Sequence, residues 1–276
     1  MNSQVSVVFR YGLAIIVVGI FMFPILWWGL TSIKPVAAIF DKDHIVLFDF
    51  MPTLNNYRAV LSGDWGSAMD GRPAILSSSI VAAGSTLLTV ITGLLASFAL
   101  SRLLPRRNGQ YVGWLFLQRL LPPIAILVPL IFILRDIGLF NTHLGLIIAH
   151  TILNLPIAVL LLKSFMDDIP REIDQAAMID GASRFQLFRK VLVPLMKGGV
   201  AATAVLCFIL SWTEFLLAVF LSSTLQTIPV KITTFASWTF GYSSALGTTA
   251  LLPSFLFILL FQRNLVRGLT MGAIKT

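Results

Sequence analysis

Charge is scarce in this chain: 12% of its 276 residues are Asp, Glu, Lys or Arg, against about 25% in an average soluble domain. With 57% of the residues hydrophobic, a water-soluble globule is excluded. Cysteine is nearly absent: Cys207 stands alone inside an apolar run, so it forms no internal disulfide and packing is its default role. The apolar runs lack the alternation and turn spacing of a membrane β-barrel. No Gly-x-x-x-x-Gly-Lys-Ser/Thr phosphate loop occurs, which excludes ATP hydrolysis of the usual kind by this polypeptide alone. His143 and His150 have no second ligand at metal spacing, so no metal is assigned. No nucleophile with a base lies on the apolar runs, which argues against an intramembrane enzyme.

What the chain has instead is long apolar runs. About 20 residues of helix cross a hydrocarbon core of about 30 Å, and six segments approach or exceed that length: Tyr11 to Thr31, Ile75 to Leu100, Val112 to Leu134, Leu144 to Phe165, Gly198 to Ser222 and Gly247 to Phe261. The fold class is therefore all-α integral membrane with about six spans, read as one domain over residues 1–276. The first run is too long for a signal-peptide core and no small-residue cleavage site precedes Lys34 and Pro35, so it reads as a retained span. Pro24, Pro122, Pro123, Pro129, Pro156 and Pro253 fall within spans, where each removes a backbone donor and bends or breaks a helix.

The formal charge of +8 is spread in short clusters between the runs, the pattern of a topology signal rather than of nucleic-acid binding. Thirteen Lys and Arg fall on the side that holds the N-terminus, the second and fourth connections and the C-terminus, and six fall on the other. The positive-inside rule makes the richer side cytoplasmic, with both termini in the cytosol. The external segment 34–74 is irregular and carries Asp41, Asp43, Asp49, Asp64 and Asp70.

The cytoplasmic connection 167–197 has the chemistry of two short helices around a glycine. Pro170 suits a first helical position, and Glu172 and Asp174 fall in the first turn, where the helix dipole favours acids. Gly181 ends that helix in the left-handed conformation. Ser183 with Gln186 forms a capping box that opens the second, whose extension Pro194 limits. Ala176 and Ala177 give a small-residue patch, while Phe185, Phe188 and Leu192 share a face at helical spacing. Such an apolar surface outside the spans needs a partner or a bed of lipid headgroups.

Gln175-Ala176-Ala177, Asp180-Gly181-Ala182, Phe188 and Pro194 resemble the "EAA" loop of ABC importer permeases, with Gln175 where that motif commonly has Glu. Ser211-Trp212-Thr213-Glu214-Phe215 is similar to the Trp-Asn-Glu-Phe segment of carbohydrate permeases, with Thr213 in place of the common Asn. Thr227-Ile228-Pro229-Val230 resembles an external Leu-Pro-Val segment, and Gln262-Arg263, Arg267-Gly268-Leu269-Thr270 and Gly272-Ala273-Ile274-Lys275 resemble the C-terminal signature of the maltose-type inner-membrane group. The resemblance covers nearly the whole chain. It implies a type I ABC importer permease subunit, itself non-catalytic, in a bacterial or archaeal cytoplasmic membrane. It further implies a second homologous permease, two ABC ATPase subunits carrying ATP and Mg, an external solute-binding protein and a sugar substrate. Gln175, Ala176, Ala177, Asp180, Gly181, Ala182 and Phe188 would then couple to the ATPase.

Two charges remain at membrane depth. Arg119 lies roughly 12 Å along the third span from its cytosolic end and Glu214 roughly 24 Å along the fifth, and a charge near the bilayer centre costs at least about 2.5 to 3.5 kcal/mol. With Trp212 and Thr213 they are candidates for the translocation path or a subunit interface; snorkelling or structural pairing is the competing account. Trp212, Trp238, Phe240 and Tyr242 would either stack on sugar rings or anchor at the interface. An ion-coupled secondary transporter is the alternative function. It needs intramembrane acids or an inverted repeat, and here Glu214 stands alone with no repeat visible.

Overall fold

The computed structural model describes residues 2–40, 48–104, 108–235 and 239–271. Among them the secondary structure is helical throughout, without a strand. The chain gathers into two compact units, residues 1–73 with 231–252 and residues 74–230 with 253–276.

The first unit contains α1 (Asn2–Ser32), which continues through Pro24, and α2 (Asn55–Ser62). No part of α1's apolar window is buried. After α1 the loops are tied by polar contacts: the side-chain amide nitrogen of Asn56 donates to the carbonyls of Ser32 and Lys34, both at 2.9 Å, and the Lys34 ammonium stands 4.6 Å from the Trp27 ring. Arg72 pairs with Asp70 at 2.9 Å and holds that carboxyl below its usual range, while Lys231 donates to the Ala68 carbonyl. Phe240 stacks on Trp28 and Tyr242 meets Trp65 edge-on. Each thus has an aromatic partner, and Trp238 lies outside the described residues, as do Asp41, Asp43 and the Gly272–Lys275 end of the C-terminal signature.

The second unit holds most of the remaining spans. α3 (Arg72–Leu103) runs up to its π-wound last turn at Ala99–Leu103. The third predicted span is not one helix: α4 (Asn108–Leu120) and α5 (Pro123–Asp136) meet at a bend of 93°. The cause is the pair Pro122-Pro123, since Pro122 forces Leu121 out of the helical region and neither proline donates a backbone hydrogen bond. α6 (His143–Asp167) absorbs Pro156 without a break. α7 (Arg171–Ile179) and α8 (Arg184–Leu195) form a helix–turn–helix, and α8 turns by 77° into α9 (Lys197–Trp212). The fifth predicted span is also interrupted, at residues 213–215, before α10 (Leu216–Leu221). After α11 (Ile228–Thr234), the 32-residue α12 (Phe240–Met271) contains the sixth predicted run and continues through Pro253.

Close approach of these helices relies on small residues, as expected where lipid supplies no hydrophobic drive. A Cβ on Gly84 would lie 2.6 Å from Ile147, and one on Gly199 would lie 2.4 Å from the Phe165 ring. One buried cluster joins Val81, Leu127, Leu130, Leu134, Leu146, Leu217 and Leu221; another, with Leu162, Met166 and Met196, packs against Phe98 and Phe188.

Candidate functional site

The loop 167–197 folds as its local chemistry dictates. Glu172 and Asp174 occupy the first turn of α7, with Pro170 at the capping position, one residue before the first helical position expected for it. Gly181 has φ +83°, and the Ala182 N–H donates back to the Ala177 carbonyl at 2.9 Å. The capping box is complete: the Gln186 N–H donates to Ser183 Oγ at 3.3 Å, and the Ser183 N–H donates to Gln186 Oε1 at 2.8 Å. Pro194 does not stop α8, which extends one residue further before turning.

The faces of this pair differ from the simple pattern. Gln175, Ala176, Asp180 and Gly181 are exposed, while Ala177 and Ala182 are half-buried. Ile179 and Phe185 are the most exposed apolar side chains here, at 86% and 65%. Phe188 instead turns inward, its ring 5.1 Å from that of Phe98 on α3, and Leu192 is fully buried. Two guanidinium groups tie α7 to the end of α3. Arg102 Nε lies 2.5 Å from Asp174 Oδ2, Arg102 also donates to the Ile169 carbonyl at 2.9 Å, and Arg171 donates to the Ser101 carbonyl at 3.0 Å.

Deeper in the membrane, the break after Trp212 exposes the N–H groups that begin α10, and in lipid each such orphan costs several kcal/mol. Glu214 meets them: its carboxylate accepts from Leu217 N–H at 3.0 Å and from Ala218 N–H at 3.3 Å. The charge and the broken helix therefore offset each other. His150 Nε2 lies 3.5 Å from Glu214, its Nδ1 2.6 Å from the Ser211 hydroxyl, and Ser211 2.8 Å from the Ser85 hydroxyl. This string links α3, α6 and both halves of the interrupted span, with Ser85 and His150 fully buried.

Trp212 is buried and stacked on Phe208 at 5.5 Å, which withdraws it from any open surface, whereas Thr213 is exposed and donates to the Ile209 carbonyl. Arg119 is exposed at the end of α4. It borders a cavity of about 470 Å³ that Gln118, Ile126, Ile152 and Pro156 also line. Among the described residues it makes no ion pair with Glu214, whose basic neighbour is His150. The loop residues and the membrane-depth residues thus form separate groups.

Sequence reasoning names His150 only for lacking a metal partner and Ser211 only as the start of the segment similar to Trp-Asn-Glu-Phe, and it does not name Ser85. A signal is present nonetheless: His143, His150 and Asn154 lie seven and four apart on α6, and Ser78, Ser85 and Thr89 repeat that spacing on α3. Polar residues at that spacing share one face of their helix. His143 also reaches α3, its Nε2 3.1 Å from the Ser77 hydroxyl.

Comparison with known proteins adds an independent line. Residues 89–271 match the family described as binding-protein-dependent transport system inner membrane component. The chain is 35% identical over 267 residues to the trehalose transport system permease protein SugB of Mycobacterium tuberculosis, covering 94% of each. It is also 35% identical to the sulfoquinovosyl glycerol transport system permease protein SmoH of Agrobacterium fabrum, over 92% of this chain and 89% of that one. Among solved structures, it superposes with TM-score 0.76 at 18% identity on a chain of a bacterial ABC transporter involved in the import of the acidic polysaccharide alginate, covering 95% of this chain and 97% of that one.

Proposed function

This chain belongs to the family of binding-protein-dependent transport inner-membrane components, and from that premise we propose how its parts divide the work. It is the permease subunit of an ABC sugar importer, a non-catalytic transport component with the type I permease fold. That membership displaces the ion-coupled alternative. An ATPase and a solute-binding protein are its partners in general, as the family implies.

The finer assignment is ours. The pair α7–α8 is the coupling element that seats on an ATPase subunit, where ATP and Mg bind, and this chain with a second, homologous permease encloses the path. Two ATPases sit beneath, both ends of the chain lie on their side of the membrane, and all 276 residues serve one permease domain. The observation that carries this reading is the projecting helix–turn–helix, with its left-handed Gly181 and its exposed Ala176, Ile179 and Phe185. Closure of the ATPases moves this element, and the rigid helices beyond it pass the movement to the path. Glu214 and its neighbours hold the interrupted span beside that path.

The test is reconstitution of the purified complex in liposomes with a panel of sugars led by trehalose. Uptake is expected only with internal ATP and external binding protein. Uptake without either one overturns the coupling scheme.

A further inference from the structure

α7 is a nine-residue helix with one buried residue, Asp174. A helix that short has little stability of its own, so its pose is set by what Asp174 meets. Asp174 meets Arg102, and both side chains are nearly sealed from solvent, at 9% and 6% exposed. The same guanidinium donates to the Ile169 carbonyl just before α7, and Arg171 in the first turn reaches back to the Ser101 carbonyl. All of these bonds end on the π-wound last turn of α3, a local winding often retained at functional positions. A contact between the Phe98 and Phe188 rings, tilted by 50° to each other, joins the same end of α3 to α8. α3 also carries Ser85, the first member of the polar string that reaches Glu214.

We propose that Arg102 and Asp174 are the positioning pair through which a displacement of the coupling helix enters the membrane, with α3 as the element that moves with it. The inference rests on α7 seating against the ATPase. It adds a route to the covalent one: α8 is continuous with α9 only through a 77° turn at Met196, whereas α7 grips α3 directly by a buried ion pair. A buried pair loses its orientation when either partner is neutralised, because the remaining charge turns toward another donor or acceptor.

The experiment uses the permease with its co-purified ATPase and follows backbone hydrogen exchange in α3 and α9, with and without a non-hydrolysable ATP analogue and Mg. Parent, Arg102→Gln, Asp174→Asn and the double variant are compared. In the parent, nucleotide changes exchange in both helices. In either single variant the change in α3 is expected to fall at least about threefold while that in α9 persists. The double variant is expected to match the singles, because two residues acting as one unit are non-additive. A parental response of α3 in the single variants, multiplied losses in the double, or no nucleotide response of α3 in the parent overturns the proposal. Should the Gln variant lose the ATPase, Arg102→Lys keeps the charge, and loss there too makes the pair a scaffold and overturns the transmission role. A parent that retains no ATPase refutes the coupling reading itself, a separate outcome.

Discussion

His150 Nε2 lies 3.5 Å from a carboxylate oxygen of Glu214, across the gap that separates α9 from α10. The carboxylate answers the free N–H groups of α10, and the imidazole ties that corner to Ser211 on the helix before the gap. An interruption that lipid would penalise is thereby closed from within the chain.

Replacing Glu214 tests that closure. Glu214→Gln keeps one acceptor oxygen, so the complex assembles and uptake falls. Glu214→Ala removes both oxygens and costs at least about 1 to 2 kcal/mol, the scale of a helix cap lost in water, and more where lipid leaves the freed N–H groups without a partner. Thermal unfolding in detergent is expected to rank parent, Gln, then Ala. Equal midpoints for parent and Ala mean that something else holds the break.

At Gly181 the space is open: a Cβ at this position would have no other atom within 4 Å, and only the φ of +83° restricts the residue. Val is expected to impair uptake, since a left-handed φ costs a side-chain-bearing residue about 1–2 kcal/mol. Asn, which tolerates that conformation, stays close to the parent. Equal loss in both variants points to the side chain rather than to the turn.

Ile179 offers the sharper probe of docking than the small-residue pair, because it is 86% exposed and Ala177 is half-buried. Ile179→Asp is expected to weaken retention of the ATPase by about tenfold or more, since a carboxylate pressed into an interface without a donor costs a few kcal/mol. Ala177→Asp acts in the same direction, and neither blocks membrane insertion, because both lie outside the spans. The check is a pull-down from detergent beside a measure of permease in the membrane. Full ATPase retention by both variants means the helix docks by another face.

Gly145 predicts a loss of stability alone. A Cβ there would lie 2.1 Å from the Leu139 carbonyl oxygen, a backbone atom that cannot swing aside, within the turn where Thr142 caps α6. Gly145→Ala is expected to lose about 1–3 kcal/mol through overpacking. The thermal midpoint and the yield fall, while sugar moved per ATP hydrolysed by the surviving complex stays at the parental value.

Local rules make the helix–turn–helix of α7 and α8 readable. Gly181, the Ser183–Gln186 box and the early acids each act within four residues, and each is where the sequence puts it. The six apolar runs are legible for the same reason, since length and hydropathy are local. The interruptions are less so: proline marks a weak point, but α1 and α6 continue through Pro24 and Pro156 while Pro122-Pro123 turns the chain by 93°. The gap at Thr213 has no proline at all. Partners across sequence are not readable from spacing alone: Asp174 reads as a dipole partner, and only the packed structure brings Arg102 to it from the far end of α3. Phe188 reads as part of an outward face because periodicity tells which residues share a side, not which side meets the membrane helices.

The bend between α4 and α5 bears on how the protein is made. Their 13 and 14 residues extend only about 20 Å each, short of the roughly 30 Å that a nascent segment must cover to stay in the bilayer unaided. Neither half is a complete insertion signal. On that arithmetic the two halves are expected to insert only as a pair, and Leu127, Leu130 and Leu134 of α5 are covered by Leu146 and Ala149 of α6, a later part of the chain.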